Sequence, residues 1–206
     1  MSALLKIKVC GNREAENMKE VCKLKPEYVG FIFYKNSKRF VVSPDILQND
    51  CSAKRVGVFV NATIEEIKSK VDLYDLDYIQ LHGDETPDFC KKTNQIRPVF
   101  KAFQIDNNFN FNKLNYYLSA CYMFLFDTTS KSYGGSGQKF DWRLLSKYKA
   151  SVPFLLSGGI GPEDAVAIKA LRHPMLAGID VNSRFEDSPG VKNIELLSEF
   201  IKQIKE

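Results

Sequence analysis

Short apolar runs recur along the chain, each followed by a glycine or polar turn and then by a stretch of helical period. They occupy residues 5–9, 28–33, 55–60, 78–81, 98–102, 122–126, 153–156 and 178–181. Runs this rich in Val, Ile, Phe and Leu are what strands buried on both faces require. Helical patterns fall between most of them. Residues 14–23 gather Ala15, Met18, Val21 and Cys22 on one face. Thr63 ahead of Ile64-Glu65-Glu66 reads as a helix cap, leading to Ile67 and Val71. Thr86-Pro87 opens a further helix, with proline at its first turn. Gly161-Pro162-Glu163 opens another, through Val166, Ile168 and Leu171, and residues 193–205 carry Ile194, Leu197, Ile201 and Ile204 on one stripe. The helical pattern is faintest at 44–49 and 111–119.

Eight β-then-α units predict a closed (β/α)8 barrel, the TIM-barrel architecture. The alternative, an open doubly wound sheet, normally has fewer strands. At 206 residues the chain is short against the ~250 typical of such barrels, so its loops are expected to be brief and several helices minimal. The length suits one domain over residues 1–206, since single cores grow to roughly 250 residues before splitting.

Composition narrows the function classes. The apolar fraction of 44% and charged fraction of 26% are ordinary for a globular protein with a full core. The net charge of +4 is mild, and no run of basic residues forms a nucleic-acid patch. Lys and Arg read as solvated helix faces, while the slight positive excess favours an anionic substrate. Five cysteines stand at 10, 22, 51, 90 and 121, an odd count at wide spacing with no CxxC. That argues against a disulfide framework and a structural zinc site. With no signal peptide and no apolar run near ~18 residues, the chain reads as cytoplasmic and reduced, with no membrane partner. Cys22, Cys51, Cys90 and Cys121 are expected to be packing residues.

In a barrel of this kind the strand carboxyl ends and the loops after them carry the chemistry. Cys10-Gly11 follows the first run, and Tyr34 to Phe40, including Arg39, the second. Asn61 follows the third and His82-Gly83-Asp84-Glu85 the fourth. The fifth gives little. Asp127-Thr128-Thr129 follows the sixth, ahead of a glycine-rich segment, Gly134-Gly135-Ser136-Gly137, with the character of a lid. Ser157-Gly158-Gly159 follows the seventh and Asn182-Ser183-Arg184 the eighth. Loops after strands seven and eight commonly hold phosphate through backbone N–H groups, and glycine lets the backbone approach. Gly158 and Gly159 fit that use, with Ser183 adding a hydroxyl. A tight turn without a ligand is the competing reading.

Asp127 ends a very apolar run, and desolvation there would raise its pKa and suit a general acid. A loop-bonding aspartate fits position alone equally well. Arg39 suits a substrate carboxylate, which guanidinium binds bidentately, although an isolated Arg is more often surface. His82 reads equally as a polar site residue or a buried, hydrogen-bonded one. Cys10 taken alone reads as a small buried hydrophobe before it reads as a base, since a free thiol titrates near ~8.5 unless positive charge lowers it.

Together these residues resemble the N-(5'-phosphoribosyl)anthranilate isomerase family of tryptophan biosynthesis, nearly end to end. The similarity rests on Lys8-Val9-Cys10-Gly11, Ser37-Lys38-Arg39-Phe40-Val41, Val56-Gly57-Val58-Phe59-Val60-Asn61 and Ile79-Gln80-Leu81-His82-Gly83-Asp84-Glu85. It continues through Asp127 with Gly134 to Trp142, then Ser157-Gly158-Gly159-Ile160, and ends on Gly178-Ile179-Asp180-Val181-Asn182-Ser183. The resemblance implies an Amadori rearrangement, an internal aldose–ketose isomerisation needing no metal or redox cofactor. It implies Cys10 as general base and Asp127 as general acid. Arg39 would engage the anthranilate end with His82 nearby, Gly158, Gly159 and Ser183 the phosphate, and Asp180 counts among the substrate-binding positions. The partner is then a small phosphorylated molecule, and a monomer is expected over a homodimer.

The chain departs from the family in places. Asn12 and Arg13 replace the usual Ile/Leu-Thr, and Arg184 stands where many members have glycine. That Arg is expected either to meet the phosphate or to point to solvent. Three rivals share parts of the pattern. A related aldose–ketose isomerase of histidine biosynthesis has an Asp where this chain has Cys10. A metal-dependent phosphosugar epimerase needs more His and Asp ligands than His82 and His173 provide. A non-catalytic phosphometabolite-binding barrel would not need both proton-transfer residues.

Overall fold

In the computed structural model, which describes residues 4–47, 51–128 and 139–206, eight parallel strands close into a barrel. The glycine-rich segment 134–137 lies outside the described residues. The strands are β1 (Lys6–Val9), β2 (Tyr28–Ile32), β3 (Lys54–Phe59), β4 (Tyr78–Leu81), β5 (Val99–Ile105), β6 (Met123–Thr128), β7 (Phe154–Leu156) and β8 (Leu176–Val181). Each pairs with the next, and β1 pairs with β8 to complete the ring. All eight overlap the apolar runs of the sequence.

Side chains alternate between the two faces of a strand, so each strand serves two cores. Ile7, Val9, Ile79, Leu81, Phe124, Phe126, Ile179 and Val181 point outward and join the shell between barrel and helices. The intervening residues fill the barrel, where Tyr28, Val56, Phe100, Ala102, Met123, Leu125 and Leu155 form a separate cluster. Its floor is aromatic. Tyr28 meets Tyr78 edge-on with ring centres 5.6 Å apart, and Phe100 stacks on Tyr122 at 6.0 Å.

The helices are α1 (Ala15–Lys23), α2 (Ile64–Tyr74), α3 (Pro87–Asn94), α4 (Ala165–Ala170) and α5 (Ile194–Lys205). Thr63 caps α2 in a full capping box with Glu66, and Thr86 caps α3 with proline at the first turn. Where the helical pattern was faint, the chain makes 3₁₀ turns instead, at Pro44–Leu47 and Phe111–Tyr117, with another at Trp142–Lys147. The second of these is rich in Asn and aromatic residues, which favour turns over helix interiors. The segment after Gly161 also begins as a 3₁₀ turn (Pro162–Asp164), and α4 stops at Ala170. Val166, expected on its apolar face, is 81% exposed because the short helix is rotated to bury Ala165 and Ile168.

Three further features correct the sequence reading. Glu186–Ser188 (β9) and Val191–Lys192 (β10) form a small antiparallel hairpin after β8. Not every lysine is a solvated surface charge, since Lys8, Lys101 and Lys192 are buried. Cys22 and Cys51 are not separate packing thiols but a disulfide, with Cα atoms 5.3 Å apart. The helix α1 packs on the Pro44–Leu47 turn, which carries the chain back toward Cys22, a proximity that linear spacing does not show. Cys10, Cys90 and Cys121 are free and buried. No described helix is long and apolar enough to cross a membrane.

The disulfide closes a separation of 29 residues, worth about 3–4 kcal/mol of unfolding free energy in the chain-entropy account. Protein unfolded without reductant should expose three titratable thiols, the free cysteines. Urea unfolding should lose about that much stability when reductant is added. Five titratable thiols in oxidised protein would refute the bond.

Candidate active site

The strand alternation that fills the barrel also builds its mouth. Two residues beyond inward-facing Lys8 comes Cys10, two beyond Gln80 comes His82, and two beyond Leu125 comes Asp127. Ser157 follows Leu155 and Asn182 follows Asp180 by the same step. These mouth residues line one pocket together with Arg39 and Ser183. All eight positions singled out in the sequence, Cys10, Arg39, His82, Asp127, Gly158, Gly159, Asp180 and Ser183, line it. Among the described residues no group of three or more His, Cys, Asp or Glu is placed to hold a metal ion.

Cys10 is 4% exposed and sits above an ion pair between buried Lys8 and Asp180, 2.8 Å apart. Ser157 Oγ donates to the other Asp180 oxygen at 3.2 Å. Asp180 is therefore committed to fixing Lys8. Burial pulls Lys8 toward the neutral form, but Asp180 and Cys10 outweigh it and hold its pKa above the ordinary value. Burial also dominates Cys10 and pushes its thiol up, although Lys8 and Lys192 pull it down. At neutral pH the resting form is the thiol, so neighbouring positive charge does not by itself poise a thiolate.

Asp127 is fixed from two sides. Its Oδ1 accepts from the Thr128 backbone N–H at 2.8 Å, and its Oδ2 lies 3.2 Å from His82 Nε2. His82, expected near the Arg39 end, meets Asp127 across this contact. The other ring nitrogen, Nδ1, accepts from the Gln80 side-chain amide at 2.8 Å.

Gly158 and Gly159 adopt φ of +88° and +67°, a region side chains rarely enter. A Cβ on Gly158 would also stand 2.8 Å from Asp127 Oδ1 and press into Thr128. The loop after β7 can thus pass directly beside Asp127 only as glycine. Asn61 lies off the pocket, where its side chain accepts from the Asp84 N–H at 2.8 Å.

Arg39 is held in place. Glu186 accepts from Arg39 Nε at 2.9 Å and from one Nη at 2.6 Å. The same carboxylate pairs with buried Lys192 at 2.7 Å, and Lys192 also donates to Asn182 Oδ1 at 2.8 Å. Burial works against ionising Glu186, but Arg39 and Lys192 outweigh it and hold its pKa below the usual range. Burial pushes Lys192 down, with Glu186 opposing. Of the two outcomes expected of Arg184 the structure shows the second, since its side chain is exposed and its guanidinium pairs with Glu163 at 3.0 Å, away from the pocket.

Sequence reasoning missed Lys8, Gln80, Lys192 and the pairing role of Glu186. Lys8 and Gln80 each stand two residues before a recognised site residue, and the alternation alone would have found them. Glu186 and Lys192 reach the site through the hairpin, for which the chain has no comparable signal.

Residues 7–203 match the family model for N-(5'phosphoribosyl)anthranilate (PRA) isomerase. The chain is 51% identical over 205 residues to the N-(5'-phosphoribosyl)anthranilate isomerase of Parabacteroides distasonis, covering 96% of this chain and 92% of that one. It is 41% identical to the isomerase of Phocaeicola vulgatus, covering 97% and 98%. Among solved structures, the phosphoribosyl anthranilate isomerase of Thermotoga maritima superposes with a TM-score of 0.84 at 32% identity, covering 98% of each chain. A phosphoribosyl anthranilate isomerase in complex with reduced 1-(o-carboxyphenylamino)-1-deoxyribulose 5-phosphate gives 0.81 at 30% identity, again covering 98% of each.

Proposed function

The chain belongs to the N-(5'-phosphoribosyl)anthranilate isomerase family, and from that premise we propose that Cys10 is the general base and Asp127 the general acid of its reaction. The reaction isomerises N-(5-phosphoribosyl)anthranilate to 1-(2-carboxyphenylamino)-1-deoxyribulose 5-phosphate in tryptophan biosynthesis. The observation that carries the assignment is that Cys10 and Asp127 face one pocket from β1 and β6, with the left-handed glycine pair between them.

Asp127 gives a proton to the ribose ring oxygen as the bond from that oxygen to C1 breaks. The anthranilate nitrogen supplies the electron pair, leaving a protonated Schiff base. The Cys10 thiolate then removes the proton on C2, and the electrons flow to the nitrogen to give an enolamine. The Cys10 thiol gives its proton to C1 and the Asp127 carboxylate takes one from the C2 hydroxyl, which returns thiolate and carboxylic acid to their starting states. The substrate's own nitrogen is the electron sink throughout.

Gly158, Gly159 and Ser183 receive the phosphate at the β7 and β8 end. Arg39 takes the anthranilate carboxylate with the donors that Glu186 leaves over, since a guanidinium carries five N–H groups. We take a single chain as the working unit, since residues of this chain line the described pocket, and we place the protein in the cytoplasm on the biosynthetic role of its family; the Cys22–Cys51 disulfide departs from the fully reduced chain expected there.

Cys10→Ala and Asp127→Asn should each lower kcat by at least ~10²-fold, followed by the fluorescence change of the anthranilate adduct, with thermal stability and phosphate binding nearly unchanged. Near-normal turnover in either variant removes that residue from the mechanism. The pH profile has a defined sign. The base is the deprotonated form and burial raises its pKa, so kcat/KM should climb with pH through a midpoint above the ~8.5 of a free thiol. A midpoint below ~7 would be inconsistent with a buried thiol as the base.

A further inference from the structure

Gln80 is an odd residue for its place. It faces the barrel interior, 1% exposed, between Val58 of β3 and Phe100 of β5 in the strand register. Its Oε1 is buried with no hydrogen-bond partner. A buried unpaired acceptor opposes folding, and an apolar residue of the same shape would remove that cost. The Gln80 Nε2 instead faces His82 Nδ1 at 2.8 Å.

The orientation of this amide bears on which ring nitrogen of His82 carries the proton. An amide nitrogen only donates, so Nδ1 of His82 accepts and carries no proton. A neutral imidazole then bears its proton on Nε2, the atom 3.2 Å from Asp127 Oδ2. With Thr128 N–H on Oδ1 at 2.8 Å, both oxygens of Asp127 face a donor and the carboxyl plane is fixed.

We propose that Gln80 is a positioning residue: its amide locks His82 in the Nε2–H tautomer so that the ring orients Asp127 toward the pocket. The chain of contacts runs from the barrel interior to the mouth, Gln80 to His82 to Asp127, and each link joins side chains on the inward face of β4 and β6. The inference rests on Asp127 being the acid, and the two ideas fail separately.

The protein has two histidines, which makes the tautomer directly measurable. His173 is an internal reference, because its Nδ1 accepts from the Met175 N–H at 3.1 Å and its Nε2 lies 3.1 Å from the Tyr148 carbonyl oxygen. In ¹⁵N-labelled protein above pH 8, both rings should show a protonated Nε2 and a bare Nδ1. Gln80→Leu should leave His173 unchanged and convert His82 to a mixture of tautomers. Gln80→Glu, whose carboxylate accepts, should put a proton on Nδ1 of His82. In both variants kcat should fall about tenfold, a part of the 10²–10⁴ that an acid contributes, with KM within about twofold. Gln80→Leu should unfold at the same temperature as the parent or higher, so a lost fold does not explain the lost rate.

A parent His82 protonated on Nδ1 overturns the proposal, because the amide then sits the other way round. So does a Gln80→Leu protein with unaltered His82 resonances or unaltered kcat. Full activity in Asp127→Asn would instead sink the acid assignment while leaving the tautomer result standing.

Discussion

The ion pair between Lys8 and Asp180 is the contact on which the rest depends. It joins β1 to β8, the seam where the barrel closes, and the two residues stand opposite one another in the strand register. Both are buried, so neither charge is tolerable without the other, and removing one partner from such a pair typically costs about 3–5 kcal/mol. The pair therefore ties the first strand to the last in one register. A slip by one residue would turn Cys10, Asp180 and Asn182 out of the pocket and bring apolar neighbours in. Closure of the barrel and assembly of the site are the same event.

The same economy governs the other buried lysines. Lys101 is matched by Glu85 at 3.1 Å, and Lys192 and Arg39 share Glu186. Lys8 and Lys101 each have a carboxylate of their own and Lys192 shares Glu186 with Arg39, so most of the buried charge is compensated. That balance explains why Cys10 rests as a thiol although Lys8 and Lys192 are close. Their charges are already answered by Asp180 and Glu186, and burial decides the outcome.

How much of this the chain announces depends on the distance over which each feature is encoded. The eight strands were legible because burial on two faces demands apolar runs, and a run is local. The site residues were legible as strand-end residues once a barrel was expected, so Cys10, His82 and Asp127 could be picked without knowing what they touch. Their supports were not. Lys8 and Gln80 looked like ordinary polar breaks in apolar strands, and only counting back by two from a site residue separates them from surface positions. Glu186 reaches Arg39 across 147 positions, and Cys22 finds Cys51 through the packing of α1 on a 3₁₀ turn. No local pattern carries either contact. The short helices were misjudged for a related reason, because a 3₁₀ turn satisfies the same apolar spacing over a few residues.

Arg184 shows how a departure from the family pattern is absorbed. Glycine at such a place would be irreplaceable if the backbone were left-handed there. In the described residues the side-chain-bearing positions with positive φ are Lys25, Asn61 and Asp75, so Arg184 meets no such constraint. It lies in the 3₁₀ turn Ser183–Phe185, with Phe185 buried against Phe200 at 4.8 Å between ring centres. Anchored by Phe185, the turn leaves Ser183 facing the pocket and sends the Arg184 guanidinium outward to Glu163. Glu163 also receives Lys139 at 3.0 Å, so one carboxylate links the segments around β6, β7 and β8. These are exposed pairs worth at most about 1 kcal/mol each, too little to fix the fold. They are enough to bias the relative positions of the three loops that follow β6, β7 and β8, a bias that glycine at position 184 has no side chain to supply.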